Sequence, residues 1–316
     1  MILLLGARGY MGSAFAAAMQ ERGWAYRPMS RLEADYTRFE VMVRLLREHR
    51  PDFVVSAAGY TGKPNVDACE TAQADTLKGN VIFPQMLAQA CQAEGVPWGH
   101  VSSGCIYAGA KFLRGGEWVV DKDLMSDGAR EALEGHPDRV RGFTEEDEPN
   151  FSFRQPPCSF YSGSKALGEE AMNAVGGGYL WRLRIPFDEK QTGKNYLSKL
   201  LSYPKLYQNY NSISHRGDFV AACLDLWDKR AELGTYNITN PGYVSTREVA
   251  GMIREILKPG REFEFWENDE EFYRVAAKTP RSNCILDGTK LASAGVRVRD
   301  VREALEASLR GWQASG

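Results

Sequence analysis

The sequence predicts an α/β fold: a doubly wound parallel sheet with a smaller C-terminal lobe. Short apolar runs alternate with amphipathic helical stretches over the first hundred residues, the pattern of βαβ units. The runs are apolar throughout, as strands covered on both faces are. The first run ends in glycines just where a helix begins.

The elements follow in order. "ILLLG" is a buried strand cut off by glycine. "SAFAAAMQERG" is helical and closes on Gly23, a fitting C-cap. "WAYRPM" is a second strand, "FEVMVRLLREH" an amphipathic helix and "DFVVSAAG" a third strand. "NVIFPQMLAQACQAEG" is a helix and "VPWGHVSS" the fourth strand. From residue 108 to 142 the rhythm breaks. This charged segment is long for a loop, which marks a functional or mobile stretch, and "DGAREALEG" suits a short helix within it. "SFYSGSKALGEEAMNAV" is a helix and "GGYLWRLRIP" a strand. Beyond Pro186 come the helix "HRGDFVAACLDLWDKR", then strand, loop and helix in "GTYNITNPGYVSTREVAGMIREIL", then the helix "VRDVREALEASLRGWQ". Ser245 and Glu248 have the spacing of a capping box. The predicted division is 1–186 for the sheet domain, interrupted by the 108–142 insertion, and 187–316 mainly for the second lobe, interleaved with the last elements of the first.

Composition excludes several classes. With 39 basic and 41 acidic residues the net charge is −2, so no nucleic-acid footprint and no polybasic membrane patch is expected. No apolar run approaches the roughly 20 residues a membrane helix needs, and "MILLLGARGYMG" reads as structure rather than as a signal peptide. The six cysteines are scattered without a C-x-x-C pair. Neither a disulfide framework nor a metal site is expected, and a reducing cytoplasmic setting fits.

Gly6, Gly9 and Gly12 give G-x-x-G-x-x-G between the first strand and the first helix. Such glycines let a backbone approach a pyrophosphate seated on the helix N-terminus. Residues 1–186 therefore read as a Rossmann-type NADP-binding domain, and 187–316 as mainly a substrate-binding lobe. Gly6, Arg8, Gly9, Tyr10, Met11 and Gly12 are candidate cofactor contacts. Strand two ends in "RPMSRLEAD". An arginine there favours a 2′-phosphate and an acid favours a free ribose. Arg31 and Arg8 point to NADPH, Glu33 and Asp35 leave NADH open, and a solvated surface role remains the alternative for Arg31.

"YSGSK" sets Tyr161 and Lys165 at i and i+4, on one helix face. An ammonium beside a phenol lowers its pKa toward working pH, making Tyr161 a general acid for a carbonyl oxygen. Ser103, at the end of the fourth strand, can hydrogen-bond the same oxygen.

Taken together, the glycine triplet, Ser103 and Tyr161/Lys165 resemble an extended short-chain dehydrogenase/reductase. "AAGYTGKPNVDACE", "SSGCIY", "FTEEDEPNF", "FYSGSKALGEE", "LRIP" and "YNITNPGYVS" resemble the plant-type nucleotide-rhamnose synthases, 3,5-epimerase/4-reductases related to the dTDP-4-dehydrorhamnose reductases. The likeness runs from about Met1 to Leu291 and departs in the segment after Tyr107, which is longer here. It implies a UDP- or dTDP-4-keto-6-deoxyglucose substrate, NADPH, and a homodimer formed through two helices beside the sheet. It also implies that Cys105, two residues after Ser103, and Lys199, beyond the Leu-Arg-x-x-Pro strand, exchange protons at C5 and C3, with Lys194 as fallback. A thiol with an ordinary pKa near 8.5 suits such exchange, whereas the plain alternative for Cys105 is a buried filler and for Lys199 a surface lysine. The other five cysteines read as structural. Ala57, Ala58, Tyr60, Asn80, Tyr161, Lys165 and Ile185 are placed along the cofactor, Lys165 on the nicotinamide ribose, and Gly104, Asn65 and Arg281 with Ser103, Cys105 and Lys199 along the substrate. Asn65, Asp67 and Glu70 could equally be helix caps, and Arg281 a surface ion pair.

Three other functions stay open: a 4-reductase acting on an already epimerised sugar, an epimerase that never reduces, and a non-catalytic subunit resembling the methionine adenosyltransferase regulatory subunit. The intact Ser103, Tyr161 and Lys165 count against the last.

Overall fold

The protein is described from a computed structural model covering residues 1–63 and 65–314. Six parallel strands form the central sheet: β1 (Ile2–Leu5), β2 (Tyr26–Met29), β3 (Phe53–Ser56), β4 (Trp98–Ser103), Gly178–Leu183 and Gly234–Asn237. Their spatial order is Gly234–Asn237, Gly178–Leu183, β4, β3, β1, β2. The chain leaves β1 for one neighbour, β2, and later returns to the other, β3, so the order reverses at β1 and opens a crevice at its carboxyl end.

Strand residues alternate between two apolar layers. Ile2, Leu4, Phe53, Val55, Tyr179 and Trp181 face one cluster, packed by Met11, Phe15 and Met19 of α1 (Tyr10–Glu21) and by the Arg216–Asp228 helix. Leu3, Leu5, Val54, Trp98 and Leu180 face the other, packed by Met42, Leu45 and Leu46 of α2 (Phe39–His49) and by the Phe83–Ala93 helix. Burial on both faces is why the strands read as apolar runs. The sheet is tight: a Cβ on Gly99 would lie 2.0 Å from Trp181 Cη2. A third cluster, from Phe187 and Leu197 through Val249 and Ile253 to Leu305 and Leu309, fills the C-terminal lobe.

Two expectations change. The helix predicted from Asn80 starts earlier, at Gln73, and passes through a wide π-type turn at Lys78–Ile82 before Phe83–Ala93. The 108–142 segment is not a long loop. Ala110–Arg114 pairs antiparallel with Glu117–Asp121 across a Gly115–Gly116 turn, both glycines at positive φ, and with Val140–Arg141. The expected helix is present at Asp127–Gly135, capped by Ser126 Oγ on Ala129 N. Phe112, Leu124, Ala129 and Leu133 bury this small unit against Tyr210 and Ile285, which holds it to the lobe. Farther on, Ser245 Oγ accepts from Glu248 N at 3.0 Å, as the capping-box spacing predicts.

Candidate active site at the carboxyl edge of the sheet

The glycine loop closes the carboxyl end of β1. Gly6 sits at φ +76°, and a Cβ there would lie 2.9 Å from the Ala57 carbonyl carbon. A Cβ on Gly12 would lie 2.0 Å from Gly6 O. Only glycine fits either place. Gly9 precedes α1, whose N-terminus has no side-chain cap, so its first N–H groups are open to an anion, as a dinucleotide pyrophosphate requires. Met11 turns its side chain into the core, leaving only its backbone to the loop. The Tyr10 ring lies under the Arg216 guanidinium, 4.3 Å away.

Arg31 and Arg8 are exposed and form no ion pair among the described residues. Glu33 is bound to Arg27, and Asp35 Oδ1 accepts from Thr37. Ala57 and Ala58 follow β3 beside Gly6. Asn80 is fully committed within the protein: Oδ1 accepts from Tyr60 N (2.9 Å), and Nδ2 donates to Tyr60 O (2.9 Å) and Ser164 Oγ (3.1 Å). It fixes the Tyr60 backbone and has no proton left for a ligand. Ile185 adopts φ +35°, an uncommon conformation for a β-branched residue.

Ser103, Cys105 and Tyr161 meet at the end of β4. Ser103 Oγ accepts from Cys105 N at 3.3 Å, capping the Gly104–Ile106 turn, and it favours the ionised forms of both the Tyr161 phenol and the Cys105 thiol. Ser162 favours the thiolate as well. Tyr161 and Lys165 lie on the Phe160–Val175 helix, whose start is held by Ser159 Oγ on Ser162 N (3.1 Å) and by Glu70 Oε1 on Phe160 N (2.8 Å). Gly104 is buried because Leu286 occupies the space of a Cβ, 2.4 Å away.

The electrostatics correct one expectation. Burial pushes the Tyr161 phenol up; Cys105 adds to this, while Ser103 and Arg184 oppose it. Burial lowers Lys165 instead, and its Nζ lies 3.5 Å from the Cβ position of Gly59. The helix spacing was read correctly, but desolvation outweighs the ammonium. A raised phenol keeps its proton, as a general acid must. The Cys105 thiol is likewise pushed up by burial, with Ser103, Ser162, Arg184 and Lys165 opposing.

Lys199 stands apart from this group. It lies on the Tyr196–Ser202 helix capped by Asn195, and its ammonium has no hydrogen bond or ion pair among the described residues. Burial lowers its pKa, and the neighbouring cations Lys194 and Arg281 lower it further. Lys194 Nζ donates to Thr61 Oγ1 at 3.2 Å. Arg281 is taken up by a bidentate pair with Asp67, at 2.6 and 2.9 Å. Asn65 is exposed, and its Oδ1 caps Asp67 N at 2.9 Å. Asn65 and Glu70 therefore do the work of helix caps, and Arg281 forms an ion pair, though a partly buried one.

Sequence reasoning passed over Arg184. It is 5 % exposed, beside Gly104, and has no carboxylate partner among the described residues. The LRIP motif contains it, but nothing in the local sequence shows that it lacks the carboxylate partner that Arg182 has.

Comparisons with known proteins show the family. The RmlD substrate binding domain matches residues 1–313. A bifunctional dTDP-4-dehydrorhamnose 3,5-epimerase/dTDP-4-dehydrorhamnose reductase of Arabidopsis thaliana is 30 % identical over 305 residues, 96 % of this chain and 90 % of that protein. A trifunctional UDP-glucose 4,6-dehydratase/UDP-4-keto-6-deoxy-D-glucose 3,5-epimerase/UDP-4-keto-L-rhamnose-reductase of the same plant is 28 % identical, and this chain spans only 41 % of its length. The crystal structure of a UDP-rhamnose synthase from Acanthamoeba polyphaga mimivirus superposes with a TM-score of 0.82 at 25 % identity, covering 98 % of each chain. On the family match and the Arabidopsis likeness, this chain belongs to the RmlD substrate binding domain family.

Proposed function

We propose that this chain is an NADPH-dependent 3,5-epimerase/4-reductase converting a UDP- or dTDP-4-keto-6-deoxyglucose to the nucleotide-linked L-rhamnose or a related deoxysugar. The observation that carries the reading is the meeting of Ser103, Cys105 and Tyr161 at the end of β4, where Ser103 caps the Cys105 turn and Tyr161 packs against the Cys105 cluster. A reductase needs the serine and tyrosine; it has no use for a thiol between them.

The C4 ketone acidifies the protons at C3 and C5. The Cys105 thiolate takes the C5 proton: an S–H bond forms, the C–H bond breaks, and its electron pair moves to the C4 oxygen. Ser103 and Tyr161 donate to that oxygen and stabilise the enolate. Reprotonation from the opposite face inverts the carbon. Lys199 serves as the opposing acid: its ammonium gives a proton to the carbon, an N–H bond breaking as the C–H bond forms, and its lowered pKa eases that transfer. The bound cofactor supplies the hydride to C4, and Tyr161 gives its proton to the C4 oxygen. Arg8 and Arg31, free of ion pairs among the described residues, favour the 2′-phosphate. A cytosolic homodimer is the matching expectation, to be read by light scattering.

The test follows NADPH absorbance with two ketones, the 4-keto-6-deoxyglucose and its rhamno-configured product. Cys105→Ala should lose turnover of the first and keep turnover of the second. Equal rates for wild type and variant on both ketones would leave a plain 4-reductase.

A further inference from the structure

Two arginines leave the same strand two residues apart in opposite electrical states. Arg182 is neutralised: Nε and Nη2 donate to the Glu169 carboxylate at 2.8–3.3 Å. Arg184 is equally buried, but its Nη2 donates only to neutral oxygens, Asn211 Oδ1 (2.6 Å) and the Ser282 carbonyl. Its Nε is buried with no hydrogen-bond partner. A guanidinium cannot shed its proton, and an uncompensated buried charge is costly. The arrangement becomes favourable when an anion forms beside it.

The neighbouring turn supplies that anion. Arg184 Cδ lies 3.6 Å from the Cβ position of Gly104, the residue before Cys105. The titratable groups around the Cys105 thiol are Arg184, Lys165, Tyr161, Cys69, Cys158 and Cys284. Lys165 is the other cation among them, and its ammonium lies near Gly59. Cys284 is fully buried and donates its Sγ–H to Gly104 O at 3.4 Å. Arg184 is thus the cation built against the Cys105 turn.

We propose that Arg184 is a positioning residue that acts through Cys105, as the fixed counter-charge of its thiolate. This rests on reading Cys105 as the acid–base group of the epimerase. Arg184 favours the thiolate against burial, so its loss moves the thiol titration upward.

The test is a titration of the full-length protein labelled with [13Cβ]cysteine, followed by NMR, with Cys105→Ser identifying the resonance. Arg184→Gln removes the charge. Asn211→Asp neutralises it in place, because Asn211 Oδ1 already accepts from Arg184, and it keeps the test available if Arg184→Gln does not fold. Both variants should titrate at least about one pH unit above wild type, a tenfold loss of thiolate near neutrality. Arg184→Lys should recover part of the shift. Substrate C5 deuteration in D2O should fall about tenfold in both variants at neutral pH and recover as pH rises. The same Cys105 titration in wild type and both variants overturns the proposal. Shifted titrations in both variants, with no substrate deuterated by the wild-type protein, uphold the counter-charge and overturn the epimerase reading instead.

Discussion

Replacing Glu169 by Gln tests the network beneath the site. The Glu169 carboxylate is 4 % exposed and accepts from Ser102 Oγ (2.5 Å) and from Arg182 Nε and Nη2 (3.0 and 2.8 Å). Arg182 also donates to Tyr107 OH at 3.1 Å, tying the sheet to the turn after Cys105. Removing one partner of a buried pair strands the other charge, at a cost of about 3–5 kcal/mol. At about 2.1 cal/mol/K per residue, the 316-residue chain unfolds with an entropy of about 0.66 kcal/mol/K. The expected fall in Tm is then about 5–8 °C, read by scanning calorimetry. The double variant Glu169→Leu/Arg182→Met removes both charges and should recover part of the loss, because the stranded guanidinium is gone. A Glu169→Gln protein melting within about 1 °C of wild type would refute the claim that this pair is dry and coupled.

Other predictions follow from the same contacts. Gly12→Ala drives a Cβ into Gly6 O and should weaken NADPH binding at least about tenfold by fluorescence titration, with the fold retained. Gly99→Ala places a methyl in the Trp181 ring and should cost at least about 1–3 kcal/mol in urea unfolding. Asp218 is held at about 2: burial raises it, but the neighbouring His215 and hydrogen bonds from Arg299 and Asn240 outweigh burial. Its stabilising effect is complete above the unfolded value near 4 and is lost as pH falls toward 2, so Asp218→Asn should flatten acid unfolding there by up to about 2 kcal/mol. Lys199 is depressed by burial; the unfolded chain binds more protons between its folded pKa and about 10.4, so stability rises with pH across that window. Lys199→Met should remove this rise and melt roughly 1–2 °C higher at neutral pH.

Much of the fold was legible because its strands are buried on both faces and its helices are amphipathic; α2 falls on the predicted residues. The inserted hairpin was not, because Leu113, Val119 and Val120 stay exposed and give no burial pattern. Its Gly115–Gly116 turn was the available signal. Ser103, Tyr161 and Lys165 could be found from local spacing. Glu70 reaches Phe160, 90 positions away, and Arg184 differs from Arg182 only in what the fold brings to it. Distant partners of this kind leave no periodicity to read. The direction of the Tyr161 shift failed for a related reason: an i, i+4 pair shows proximity but not desolvation.

The most direct test of the central claim is hydrogen exchange without turnover. The protein is incubated with UDP-4-keto-6-deoxyglucose in D2O without NADPH, and C3 and C5 are read by NMR and mass. The account predicts deuterium at both carbons, lost at C5 in Cys105→Ala. No deuterium at either carbon, with NADPH oxidised only on the rhamno-configured ketone, would contradict it and leave Cys105 as a buried filler.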